Sequence, residues 1–177
     1  MKTLGAVLAG GQSSRFGSDK ALALWRGKPL IEHAIEALSQ QCDAVVIVGR
    51  QREGLASAPD WPIAGTGPLG GLGGALHYAA GHGFARVLSC GVDSVGLPRD
   101  LRRQLESEPS YAMSQPVLGL WPAASVYALE TLVRNLSRRS MHAFAEHIGA
   151  RAVKLSPEPA NVNTPDDLAR WEQAHGL

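Results

Sequence analysis

The chain has 177 residues, 45% apolar, 19% charged and 6% aromatic, with 17 Lys plus Arg against 16 Asp plus Glu. A chain of this size buries about 70% of the surface its unfolded form exposes, so disorder and a disulfide scaffold are both excluded. The net charge of +1 excludes a broad nucleic-acid footprint, and no stretch approaches the roughly 18 consecutive apolar residues of a membrane span.

Thr3 to Ala9 (TLGAVLA) is apolar at successive positions and runs directly into Gly10 and Gly11, which predicts a strand buried on both faces. The same stretch is too short for an anchor and lacks a signal-peptide cleavage region, so a cytoplasmic protein of one domain over 1–177 is expected. Pro29 opens a helix at a position where its missing N–H is harmless, and Leu30, Ile31, Ala34, Ile35 and Leu38 carry that helix through Ser39. Ala44 to Val48 is the next buried strand. Arg50 to Gly67 is polar, aperiodic and rich in turn residues, and is expected to form a surface connection.

A helix follows Pro68. Its sequence, LGGLGGALHYAA, holds four glycines, each costing a helix about 1 kcal/mol relative to alanine. Either something approaches that backbone closely or the helix start frays, and close helix-to-sheet packing is the competing account. Arg86 to Cys90 reads as a third strand, Pro98 to Leu105 as a short helix, and Glu106 to Ser114 as a polar connection. A strand over Val117 to Trp121 and helices over Ala123 to Leu136 and Arg139 to Ile148 follow. Arg151 to Leu155 is a last strand. Thr164 caps a final helix through Ala174, with Pro165 at its first position and Asp166 and Asp167 at the positive end of its dipole.

Alternating strands and helices, joined by connections too long for hairpins, predict a doubly wound α/β fold. The sheet is expected to be mostly parallel and Rossmann-like, with helices on both faces and the ligand beyond the carboxyl ends of the strands. Cys42 and Cys90 fit a reducing compartment and sit in no metal or CxxC spacing. Cys90 is expected to pack as a small apolar thiol.

The strongest chemical signal is LAGGQSSRFGSDK, Leu8 to Lys20, directly after the first strand. Gly10 and Gly11 let an anion reach the backbone, consecutive amides form a nest, and Arg15 and Lys20 add positive charge. Asp19 either orients one of those two cations or makes a turn. The spacing excludes both a dinucleotide fingerprint and a Walker loop, since five residues separate Gly11 from Gly17 and Ser18-Asp19-Lys20 follows.

This segment resembles the signature of nucleotidyltransferases that activate small molecules with a nucleoside triphosphate, most closely the molybdenum cofactor guanylyltransferase family. Further segments carry the resemblance across nearly the whole chain. They are GKPLIEHAIEAL (Gly27 to Leu38), GPLGGL (Gly67 to Leu72), CGVDSVGLP (Cys90 to Pro98), QPVLGLW (Gln115 to Trp121) and NVNTPDDLARW (Asn161 to Trp171).

The resemblance implies transfer of GMP from GTP to the terminal phosphate of molybdopterin or Mo-molybdopterin, with release of pyrophosphate. Alignment and charge neutralisation are what such a transfer needs. Arg15, Lys20 and Asp93 are the implied catalytic residues. Leu8, Ala9, Gly10, Gly11, Lys20, Asp60, Gly67, Pro68, Leu69 and Asp93 are implied to contact the nucleotide. Asp93, just past the third strand, is the expected Mg²⁺ ligand together with Asn163. Arg138, Arg139, Asn161 and Asn163 are implied to meet the pterin substrate. A solvated helix end accounts equally for the arginine pair, and turn chemistry is the competing account of Asp60 and of both asparagines. Transient contacts with proteins that make molybdopterin or accept the finished cofactor are also implied.

Two departures keep alternatives open. Val92-Asp93-Ser94-Val95 replaces the family's Cys-Asp-x-Pro, which favours a catalytically impaired nucleotide-binding protein. The second strand ends in Val48-Gly49 where the family has asparagines near the base, which favours CTP or another small-molecule transfer.

Overall fold

The computed structural model describes residues 1–10, 19–134 and 140–175. In chain order the strands and helices are β1 (Thr3–Leu8), β2 (Leu24–Trp25), β3 (Lys28–Pro29), α1 (Leu30–Ser39), β4 (Ala44–Val48) and β5 (Ala56–Ala58). Then come α2 (Pro68–Gly81), β6 (Arg86–Gly91), β7 (Ser94–Val95), α3 (Leu101–Gln104), β8 (Ser110–Ala112) and β9 (Gln115–Pro122). The last are α4 (Val126–Arg134), α5 (Met141–His147), β10 (Arg151–Val153), β11 (Ala160–Asn161) and α6 (Pro165–His175).

Seven strands form one sheet in the order β10-β8-β9-β6-β1-β4-β5. β1 pairs in parallel with β4 and β6, β4 with β5, and β8 with β10. The expected doubly wound α/β fold is therefore observed, with one irregularity, since β9 runs antiparallel to both β6 and β8. The two polar connections also contain strands the sequence does not signal. β5 (ASA) and β8 (SYA) are three residues each, too short and too poor in large apolar residues for alternation to register. Pro29 precedes the first helical turn, serving as N-cap of α1 while pairing with Leu24 in the β2–β3 hairpin.

From β1 the chain moves outward through α1 to β4 and β5, and α2 returns it to β6 on the other side of β1. Strand order thus reverses between β1 and β6, and a ligand crevice is expected at their carboxyl ends. Strand alternation feeds two cores. Leu4, Ala6 and Leu8 of β1 and Val46 and Val48 of β4 pack with Leu69, Leu72 and Leu76 of α2, Leu129 of α4 and Phe144 of α5. Val7, Val45, Ile47 and Leu88 pack with Ile31, Ala34 and Leu38 of α1 and with Leu101. Among the described residues no helix is long and apolar enough to cross a membrane.

The glycines of α2 do admit a close backbone approach, and what approaches is the chain itself. A Cβ on Gly73 would stand 2.1 Å from the Trp61 carbonyl oxygen, and one on Gly74 would stand 2.1 Å from that of Pro59. Segment 59–61 therefore lies directly on the helix, where the Trp61 N–H donates to the Gly70 carbonyl at 3.0 Å. On the sheet side, a Cβ on Gly71 would meet the Leu8 side chain at 3.5 Å, an ordinary contact.

The C-terminal arm is held by a third cluster, in which Leu30, Val95, Val162 and Leu168 pack with Trp25 and Trp171. A reciprocal cap starts α6. The Asp167 N–H donates to Thr164 Oγ1 at 3.1 Å, while Asp167 Oδ2 accepts from the N–H groups of Thr164 at 2.9 Å and Asn163 at 3.0 Å. The Asn163 N–H above all, then the Arg170 guanidinium and the Thr164 hydroxyl, hold this carboxyl down at a pKa of about 2.

Two predictions follow from this packing. Gly74→Ala should destabilise by about 1–3 kcal/mol, because the new methyl meets backbone that has no rotamer with which to yield. Gly81→Ala, at a helical position with nothing within 4 Å of an added Cβ, should stabilise by about 0.4–1 kcal/mol, and denaturant midpoints of both variants check the pair. The Asp167 cap should contribute fully above the unfolded carboxyl pKa of about 4 and be lost as pH falls through about 2. Asp167→Asn should accordingly flatten the pH dependence of the thermal midpoint over that window.

Candidate active site

A cleft of about 460 Å³ opens where the strand order reverses. Leu8 at the end of β1, Ala9 and Gly10 beyond it, Gly91 at the end of β6, Val92 and Asp93 beyond it, and Lys20 line it. Gln115 to Val117 of β9, His142 of α5 and Asn161 of β11 line it as well.

At its centre three segments meet on one ammonium group. Lys20 Nζ lies 3.2 Å from Asp93 Oδ2 and 3.2 Å from Asn163 Oδ1, with the lysine side chain 12% exposed. Lys20 begins a single turn of 3-10 helix, Lys20–Leu22, capped by Asp19, whose carboxylate accepts from the Ala21 N–H. Asn163 is delivered by antiparallel pairing of β11 with β7, extended by a bond from the Val162 N–H to the Asp93 carbonyl at 2.9 Å. The Asp93 carboxylate occupies space that only a glycine at 91 leaves, since a Cβ there would stand 2.4 Å from Oδ1.

The loop around Asp93 is tethered without the proline its resemblance would have placed there. Val95 is buried against Leu30 and Val162, and the Ser94 hydroxyl donates to Gln115 Oε1 at 2.9 Å. Gln115 is itself buried, and its Nε2 donates to the Pro159 carbonyl at 2.6 Å, tying β7, β9 and the approach to β11 together.

The donor set suits a small hard cation. The ammonium of Lys20 marks a point at which a carboxylate and an amide oxygen converge on positive charge. Among the described residues no group of three or more His, Cys, Asp or Glu gathers around any ion position. An ion bound here would take its other ligands from water and from substrate phosphates, as Mg²⁺ does.

The remaining expected residues fall in different places. Gly11, Arg15, Arg138 and Arg139 lie outside the described residues. Leu8 and Ala9 line the cleft, but the Ala9 N–H is already bonded to the Val48 carbonyl at 2.9 Å, so Ala9 offers a ligand no free amide. Of Gly67, Pro68 and Leu69, only Pro68 lines the cleft. Gly67 caps α2 at φ +64°, and Leu69 is buried in the core on the same helix face as Leu72 and Leu76. Asp60 lies outside the cleft, in an adjoining groove with Gly10, Gly49 and Arg50, where its Oδ2 accepts from the Gly65 N–H at 3.2 Å. Asn161 lines the cleft beside Asp93. Cys90 is fully buried, and that burial pushes its thiol pKa up, so it is an unreactive packing residue.

Asp19 does find a cation, but it is Arg50, whose Nη2 reaches its two oxygens at 2.6 and 2.7 Å. The sequence reading missed Arg50 and Gln115. Arg50 had one usable signal, its place just past the carboxyl end of β4, where ligand-binding residues of such sheets gather. Gln115 had none, because its partners are distant in the chain.

A profile of the MobA-like NTP transferase domain matches residues 5–153. The chain is 38% identical to the molybdenum cofactor guanylyltransferase of Rhodobacter capsulatus, over 97% of this chain and 96% of that one. It is 35% identical to the protein of the same name from Acidiphilium cryptum, over 92% and 90% of the two chains. Among solved structures, molybdopterin-guanine dinucleotide biosynthesis protein A of Archaeoglobus fulgidus superposes with a TM-score of 0.77 over 97% of both chains at 21% identity, a likeness of fold. With a strand-reversal cleft, a Lys20–Asp93–Asn163 centre and relatives matched almost end to end, this chain belongs to the MobA-like NTP transferase family.

Proposed function

We propose that the chain transfers GMP from GTP to the terminal phosphate of molybdopterin or Mo-molybdopterin, giving the guanine dinucleotide form of the cofactor and pyrophosphate. The observation that carries this reading is the meeting of Lys20, Asp93 and Asn163 in the cleft, in a chain whose matched relatives are named for that transfer.

In this reading the molybdopterin phosphate oxygen forms the new bond to the α-phosphorus, and the bond to the β-phosphate oxygen breaks, leaving its electron pair on pyrophosphate. Arg15 and Lys20 hold the triphosphate and offset that charge, Leu8 and Ala9 line the nucleotide's side of the cleft, and the backbone of Gly10 and Gly11 supports it. Asp93 and Asn163 hold Mg²⁺, which supplies charge neutralisation on the phosphates when bound. Asp60 meets the nucleoside, Pro68 closes the pocket, and Arg138, Arg139, Asn161 and Asn163 bind the pterin substrate. The proposal includes a single nucleotidyltransferase domain over 1–177, a cytoplasmic setting, and brief contacts with proteins that supply molybdopterin or accept the product. A CTP-using transferase is the second reading, favoured by the apolar end of β4 at Val48.

Thermal shifts with GTP, CTP, ATP and UTP, each with and without Mg²⁺, test it, because a ligand that prefers the folded state raises the midpoint. GTP alone should give a Mg²⁺-dependent rise; a preference for CTP selects the second reading. Lys20→Ala should weaken GTP binding, whereas Asp93→Asn should retain metal-free GTP binding and lose about a hundredfold or more in turnover. Gly91→Ala, which crowds the Asp93 carboxylate, should lose the Mg²⁺-dependent part of the GTP shift, and an unchanged increment would remove Asp93 from the metal site.

A further inference from the structure

Of the three groups that meet at the centre of the cleft, two are held by their backbone and one hangs on a flexible stem. The Asp93 carbonyl accepts from the Val162 N–H at 2.9 Å, and the Asp93 carboxylate fits against Gly91 so closely that a Cβ there would stand 2.4 Å from Oδ1. The backbone of Asn163 is fixed by its N–H, which donates to Asp167 Oδ2 at 3.0 Å in the cap of α6. Lys20 is fixed only at its backbone, in the 3-10 turn, and carries its charge on four rotatable carbons.

The ammonium is nevertheless seated. Its side chain is 12% exposed, and Nζ stands 3.2 Å from both Asp93 Oδ2 and Asn163 Oδ1. A carboxylate oxygen and a neutral amide oxygen are also what a hard divalent cation takes, at about 2.0–2.1 Å for Mg²⁺. The ammonium donates hydrogen bonds to these same two oxygens, and two cations so close repel strongly where water is partly excluded. Ammonium and divalent ion therefore exclude one another from this pair of oxygens.

We propose that Lys20 is a stand-in for the metal in the ligand-free chain, holding the oxygens of Asp93 and Asn163 and releasing them when an entering triphosphate offers its ammonium a new partner. The inference rests on the metal residues and the triphosphate position of the proposed function. Lys20 and Asp93 line one cleft with Gly10, so the charge changes partners within a single cavity. One side chain then couples the two ligands. A divalent ion alone must evict the ammonium, and a triphosphate that draws the ammonium away leaves Asp93 without its cation. Each ligand removes the other's penalty, which is a coupling free energy between the two bindings.

Equilibrium dialysis of Mn²⁺ against the nucleotide-free protein tests this without turnover, with thermal midpoints confirming that each variant folds. The unsubstituted chain should retain Mn²⁺ weakly, and Lys20→Met, which keeps the stem and removes the charge, should bind it about tenfold or more tightly. Lys20→Gln supplies the same comparison should Lys20→Met fail to fold. The gain should disappear when Asp93→Asn is added, and should persist at about 0.5 M salt, which screens charges acting through solvent but not a pair in partly buried contact. The sign separates this role from phosphate binding, since loss of Lys20 weakens GTP binding but strengthens that of the ion.

No gain in Lys20→Met or Lys20→Gln, with Mn²⁺ retained by the unsubstituted chain once GTP is present, would overturn the stand-in role and leave the proposed function standing. A gain that vanishes at high salt or survives Asp93→Asn would also overturn it, making Lys20 a distant source of field. Failure of every sample to retain Mn²⁺, GTP included, would instead remove Asp93 and Asn163 as metal residues, and the inference with them.

Discussion

The contact between the Lys20 ammonium and the oxygens of Asp93 and Asn163 organises the rest of the site, because it joins three parts of the chain that the sheet alone does not bring together. Lys20 comes from the turn after the glycine loop, Asp93 from the end of a central strand, and Asn163 from the C-terminal arm. Each is held by backbone before its side chain is committed. Asp19 caps the turn, the β7–β11 pair fixes the arm, and Gly91 leaves space for the carboxylate. The side chains thus reach their positions with little residual freedom, which is the condition for electrostatic stabilisation without reorganisation.

The charges around the cleft are arranged in pairs. Lys20 faces Asp93 and Arg50 faces Asp19, so each of these cations has a carboxylate partner in the ligand-free chain. A polyanion entering such a cleft meets both signs. The Asp93 carboxylate repels such a polyanion unless further positive charge accompanies it, a physical reason for the proposed nucleotide and metal to enter together.

Much of this was legible in the sequence, and the exceptions have a common cause. β1, α1, β4 and β6 are long enough, and apolar at the right period, for position alone to identify them. The strand-reversal crevice followed from their alternation, and the segments around Lys20, Asp93 and Asn163 carried a family resemblance. β5 and β8 stayed hidden because three small or mixed residues in a strand look like any loop. The purpose of the α2 glycines was only half visible, since the pattern left a close approach, a frayed start and helix-to-sheet packing open, and did not show that segment 59–61 makes the approach. Arg50 and Gln115 act through partners distant in sequence, and no local pattern encodes such a partner.

The pairing of β11 with β7 carries a consequence for the order in which the protein is made. The family profile ends at residue 153, yet Asn161, on β11, and Asn163, just past it, lie beyond it, and β11 pairs only with β7. A chain growing from its N-terminus completes β1, β6 and the loop of Asp93 well before the arm emerges. Through that interval the Asp93 loop lacks its β11 partner, and the buried Gln115 lacks its bond to Pro159. Asn161 and Asn163 of the arm are therefore the last of these residues to arrive, so in a growing chain the Lys20–Asp93 pair gains its third member only after the strands of the sheet have been made.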